Sequence, residues 1–205
     1  MTSVSVPAII AISGRSGSGM TTTADAVVKK LRQNGVSAQD FSFMDPVYGI
    51  LANSFHLFVD DLKRNTLKFH EYPGSTCAYH TAALDMYSAL RIGHDELFFV
   101  RVMEKALTDA KAEGVDVAVI DDVRALPDKR FLEQLGAKFV RLSGSFAGDS
   151  EQYSVIVQQL DLLETELDEE DWEIEYKDLP LPCDLATDIV KKLGAYLPSQ
   201  QTDRD

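Results

Sequence analysis

With 205 residues, 45% of them hydrophobic, and a formal net charge of −13 at pH 7, the chain has the size and apolar content of one α/β domain. Its charge has the wrong sign for a nucleic-acid backbone, no basic run makes a polymer-binding footprint, and no apolar stretch approaches a membrane span. Met1-Thr2-Ser3-Val4-Ser5-Val6-Pro7 lacks the pattern of a secretory leader, Cys77 and Cys183 stand alone, and His56, His70, His80 and His94 have no metal-ligand spacing; these points exclude a disulfide framework and a common zinc site, and a cytoplasmic protein is expected.

In chain order, the apolar run Val6 to Ile12 predicts a buried strand, and Thr21 to Leu31 predicts a helix stopped at Asn34-Gly35. Ala38 to Phe43 predicts a second strand, and Asp45-Pro46 starts a helix that continues through Ile50, Leu51, Phe55 and Leu57-Phe58. Val59 to Ser75 shows no clean period and reads as helix fragments and loop. Cys77 to Arg91 and the stretch from Gly93 to Gly114 are expected as amphipathic helices. Val115 to Asp122 is the clearest later strand and ends in two acids. Pro127 to Leu135 follows as a short helix and Ala137 to Leu142 as the next strand.

Ser143 to Ser154 is rich in Ser, Gly and Asp and suits a loop or lid. The acidic stretch from Asp161 to Glu173 reads as a solvated face, Trp172 to Tyr176 alternates like a half-buried edge strand, and Asp184 to Leu197 is the last helix. The expected organisation is one domain over 1–197, with a helical region at about 45–113, a lid or loop at about 143–160, and a polar tail at 198–205. Strands alternating with helices give a parallel sheet covered on both faces, which binds ligands at the carboxyl ends of its strands.

Between the first strand and helix, Gly14-Arg15-Ser16-Gly17-Ser18-Gly19-Met20-Thr21 fits the phosphate-loop template G-x-x-x-x-G-K-[ST], except that methionine stands where lysine belongs. The glycines allow turns that aim successive N–H groups at an anion, and Ser16, Ser18, Thr21 and Thr22 complete a cradle at the helix start. Met20 packs but offers neither charge nor proton. Thr21 normally places its hydroxyl on Mg²⁺, while the lysine reaches the β- and γ-phosphates. Among nearby cations, Lys29 is two helical turns from the loop, about 12 Å along the axis, which leaves Arg15 as the plausible substitute.

Four stretches occur in a shared order: Gly14 to Gly19 with Thr21 and Ala24-Asp25; Phe43-Met44-Asp45-Pro46; Val119-Ile120-Asp121-Asp122-Val123-Arg124 with Pro127; and Glu164-Thr165-Glu166-Leu167-Asp168. In these the chain resembles, over nearly its whole length, the phage-type deoxynucleoside monophosphate kinases, a P-loop family. The resemblance implies a P-loop kinase-like α/β fold with about five parallel strands, and transfer of the ATP γ-phosphate to a deoxynucleoside monophosphate (dNMP) with Mg²⁺, giving dNDP. By the same resemblance Gly14, Gly17, Gly19 and Thr21 hold donor phosphates and metal, and Arg15 adds charge inside the loop. Asp122 is the first choice for the metal-facing acid and Asp121 the competing one. Arg124 reaches either a phosphate or a core carboxylate. Asp45, Arg91 and Arg101 lie where the family surrounds the acceptor, with helix capping as the other reading for Asp45 and an exposed helix face for the two arginines. ATP and dNMP are the implied partners, a homodimer is allowed, and the location is host cytoplasm if the source is a phage.

The departures are Met20, Tyr48 where members often carry lysine, and no basic residue near the start of the helix from Thr76 to Arg91. Three accounts stay open: an active kinase with a substitute cation, an inactivated variant of a kinase, and a nucleotide-binding sensor or interaction protein without transfer.

Overall fold

Proline cannot donate to a ladder, so β1 (Ala8–Gly14) begins just after Pro7 and not at Val6. It runs on to Gly14 because Ser13 and Gly14 pair with Arg141 and Leu142 of the neighbouring strand. The computed structural model describes residues 5–14, 18–63, 67, 69–143, 167, 170–177 and 180–197.

The elements follow as α1 (Met20–Gln33), β2 (Ala38–Phe41), α2 (Asp45–Phe55), α3 (Val59–Lys63), α4 (Tyr79–Gly93), α5 (Phe98–Ala112), β3 (Val117–Val123), α6 (Leu126–Gln134), β4 (Lys138–Leu142), β5 (Ile174–Tyr176) and α7 (Pro182–Lys192). Five strands form one sheet in the order β2-β3-β1-β4-β5, and every neighbouring pair is parallel. Side chains alternate across it. Ile9, Ala11, Ile120 and Phe139 face a layer containing Leu51, Tyr87, Met103 and Leu107 of α2, α4 and α5. Ile10, Ile12, Val119 and Val140 face Val27, Leu31, Leu185 and Ile189 of α1 and α7. With helices on both faces, β3 is buried at all seven positions, as its continuous apolar run requires.

Several boundaries moved for identifiable reasons. β2 stops at Phe41 because the N–H groups of Ser42 and Phe43 turn to the carboxylates of Asp45 and Asp122. α2 ends at Phe55, since His56 adopts the left-handed conformation (φ 55°) and the Leu57 N–H returns to the Ala52 carbonyl at 2.9 Å. The final helix stops at Lys192, short of Leu197; beyond it, the Tyr196 hydroxyl accepts from Ile9 N–H and donates to the Gly136 carbonyl, each at 3.0 Å. Gly35 and Gly114 have φ of 78° and 85°, which ends α1 and α5 where the sequence signals stood. The expected loop or lid beyond Ser143, most of the acidic stretch and the tail lie outside the described residues. No described helix is long and apolar enough to cross a membrane.

From β1 the chain runs to β2 on one side, and after β3 it crosses to β4 on the other side of β1. The carboxyl ends of β1 and β3 therefore flank a switch point of the topology, where open α/β sheets hold ligands.

Candidate active site

Gly14 ends β1 where no side chain fits: a Cβ there would stand 2.8 Å from the Leu142 carbonyl oxygen and against Ser18 Oγ. Arg15, Ser16 and Gly17 lie outside the described residues. Gly19 takes the left-handed conformation (φ 80°) and leads into α1, whose first intrahelical bond runs from Thr23 N–H to Gly19 at 2.9 Å. The N–H groups of Met20, Thr21 and Thr22 thus have no acceptor within the helix, and that end has neither a side-chain cap nor an acid in its first turn. Ser18 Oγ is buried without a hydrogen-bond partner among the described residues. Thr22 is exposed, Thr21 half-buried, and the Met20 side chain is packed in the apolar layer under α1.

Facing this loop is a bulge at the end of β3. Ala11 pairs with Ile120 but Ser13 pairs with Val123, so Asp121 and Asp122 together stand opposite the single residue Ile12. The two acids have different surroundings. Asp122 Oδ1 accepts from Phe43 N–H at 2.7 Å, and Oδ2 accepts from the Ser42 hydroxyl at 2.7 Å and Met44 N–H at 3.1 Å. Both oxygens are thereby occupied in holding the turn between β2 and α2. The Thr21 hydroxyl lies beside Asp121, whose Oδ1 is buried with no hydrogen-bond partner among the described residues. Burial raises both groups, Asp121 to about 6 and Asp122 to about 8. Asp121 pushes Asp122 up further, whereas Lys63 and Thr21 pull Asp121 back down.

Met20, Thr21, Ser42, Met44, Tyr48, Lys63, His80, Asp121, Asp122 and Arg124 line the resulting cleft. Its cavity volume is about 30 Å³, room for a water or two and far too little to enclose a nucleotide. Tyr48 stands in the cleft with its hydroxyl 3.2 Å from His80 Nδ1.

Of the residues expected around an acceptor, Asp45 is at the cleft edge: Oδ2 accepts from Ser42 N–H at 3.0 Å, and Oδ1 lies 2.6 Å from Lys63 Nζ. Arg91 is not on an exposed helix face. It is buried beside Tyr87 and Phe99 and paired with Asp128 at 2.5 Å, and it does not line the cleft. Arg101, an exposed residue of α5, pairs with Asp95 just before that helix and is not brought to the cleft either.

Lys63, Ser42 and His80 carry no motif and were not singled out by the sequence. Burial works against the Lys63 ammonium, but the carboxylates of Asp45 and Asp121 more than offset it and hold the group charged above its ordinary range. The only sequence sign was a lysine among the acids Asp60 and Asp61 in a stretch without period.

The strand order, the all-parallel five-stranded sheet with helices on both faces, and the phosphate-loop motif that begins at the last residue of β1 define a P-loop α/β fold. The chain matches no protein-family model and no curated protein. Among solved structures it is similar to TT1252 from Thermus thermophilus, with a TM-score of 0.50 and 17% identity over 95% of this chain and 100% of that one. Weaker likenesses include the Mycobacterium tuberculosis APS kinase CysC in complex with AMPPNP and APS, at TM-score 0.45 and 11% identity over 92% and 98% of the two chains. Shikimate kinase from Acinetobacter baumannii in complex with shikimate gives 0.43 and 13% over 94% and 96%.

Proposed function

We propose that the protein binds ATP at the Gly14–Thr21 loop and transfers its γ-phosphate to a deoxynucleoside monophosphate. The observation that carries this reading is the buried Oδ1 of Asp121, without a partner among the described residues, beside the Thr21 hydroxyl at the mouth of an uncapped, glycine-led helix end. Ser18 Oγ, also buried without a partner among the described residues, supports a ligand at the same place.

Magnesium fits this pair of oxygens. Among the described residues no three side chains are arranged to hold a metal by themselves, but Mg²⁺ at such sites takes one or two protein oxygens and completes its shell with phosphate and water. Thr21 and Asp121 would hold it, and it would supply neutralisation of phosphate charge. Asp122, the first choice from the motif, has its oxygens committed to the β2–α2 turn, so we assign the metal-facing role to Asp121. The chemistry asked of the chain is mostly positioning. An acceptor phosphate oxygen bonds to Pγ as the bond from Pγ to the bridging oxygen breaks, and the electron pair leaves on ADP. The N–H groups at the start of α1 orient the donor phosphates, Thr21 and Asp121 fix the reacting end, and Arg124, from the β3 side of the cleft, faces the transferring group.

A second reading, a nucleotide binder without turnover, is favoured by one observation: Met20 is buried in apolar packing and brings no charge to the loop. Incubating each dNMP with ATP and Mg²⁺ and following dNDP separates the two, alongside calorimetric ATP binding. Turnover of at least one dNMP is the expected result. Binding without turnover selects the second reading, and absence of binding by the chain and by Met20→Lys ends both.

A further inference from the structure

The loop lacks a cation at position 20, yet a cation stands in the same cleft. Lys63, the last residue of α3, has a buried side chain and lines the cleft with Met20, Thr21 and Asp121. Its Nζ lies 2.6 Å from Asp45 Oδ1, an ion pair that lacks hydrogen-bond alignment, and 3.5 Å from Asp40 Oδ2. An ammonium has three donors that turn about the end of its stem. The close ion pair and the long hydrogen bond restrain the charge and engage two of its three donors, which leaves one for a further acceptor. The carboxylates of Asp45 at the start of α2, Asp121 of β3 and Asp40 of β2 surround it, so the positive charge is held in the cleft beside Thr21.

Resting on the kinase reading above, we propose that Lys63 is the phosphate-binding cation of this protein, delivering from the β2 side of the cleft the charge that the loop does not carry at position 20. Stabilisation of a phosphoryl group depends on where a donor sits and not on which stem brings it. Met20 packs into the apolar layer under α1, while Lys63 comes to the same cleft from the end of α3, beside Asp40 of β2.

The test is calorimetric titration of ATP with Mg²⁺, and separately of a dNMP, into the full chain, K63M, K63R, M20K and the double variant M20K/K63M, with thermal unfolding of each. K63M is expected to weaken ATP binding by about 10- to 100-fold, the range for a lost hydrogen bond to a charged group, and to leave dNMP binding unchanged. K63R should keep most of the affinity, and M20K in the K63M background should recover most of what was lost, which a purely structural lysine would not allow. M20K alone should gain less than about threefold, because the charge is already supplied. That arm is read with Lys63 in place and stands even if K63M fails to fold.

ATP binding by K63M equal to that of the unsubstituted chain overturns the proposal. So does a loss that M20K does not recover, or a large gain from M20K alone. A loss confined to dNMP assigns Lys63 to the acceptor phosphate and overturns it too. If no form binds ATP, the kinase reading itself has failed, an outcome distinct from all of these.

Discussion

Asp121 and Asp122 are the same residue type side by side, and the bulge in β3 gives them separate tasks. Asp122 accepts from three donors of the β2–α2 turn, so Asp122→Ala leaves Phe43 N–H and the Ser42 hydroxyl buried without their acceptor and Met44 N–H with Ser42 Oγ alone. A loss of about 2–4 kcal/mol in urea unfolding is expected. Asp121→Asn removes a buried acid whose Oδ1 has no partner among the described residues; near pH 4 stability should change by less than about 1 kcal/mol, at higher pH the variant should become the more stable one, and Mg²⁺-dependent ATP binding is lost. The reverse pattern, with Asp121→Asn harmless to binding and Asp122→Asn abolishing it in a folded protein, would return the metal to Asp122. The motif showed two acids at a strand end. It could not rank them, because their difference lies in two backbone N–H groups and the Ser42 hydroxyl, 78 to 80 residues earlier in the chain.

At the scale of elements, the loop works only if β1 can pass its last residue close under β4. Gly14→Ala puts a methyl against the Leu142 carbonyl and Ser18 Oγ, both parts of the packed wall. We expect a cost of about 1–3 kcal/mol in the urea midpoint together with weakened ATP binding, as the loop shifts to relieve the overlap. An unchanged midpoint and unchanged affinity would mean that the close approach is not needed. Helix ends set by local chemistry were legible: glycine after α1 and α5 supplied the left-handed residue each stop required. The end of α2 was not, because histidine carries no such signal and His56 is held there by the return of Leu57 N–H to Ala52. The end of β2 was set by Asp45 and Asp122, one local and one distant.

For the whole molecule, buried acids tie folding to pH. Asp121 and Asp122 are raised from an ordinary 3.8 to about 6 and about 8, so between these values the folded chain binds more protons than the unfolded one. Their contribution to stability is complete below about pH 4 and is lost as pH rises through about 6 and then 8. Urea midpoints in metal-free buffer should therefore fall from pH 5 to pH 8.5, and Asp121→Asn should flatten that decline. A midpoint that rises over the same interval would contradict the placement of this pair. The net charge of −13 adds self-repulsion in the same direction, which salt screens and Asp121→Asn barely alters.

The sequence by itself determined the alternation of strands and helices, the glycine loop and the pair of acids at a strand tip, because each rests on periodicity or on residues adjacent in the chain. Only the tertiary structure decided which acid is left open and that Lys63 shares one cleft with Met20. Those outcomes depend on which distant groups share one buried cleft, and burial makes a misplaced charge or unpaired donor costly enough to fix the arrangement.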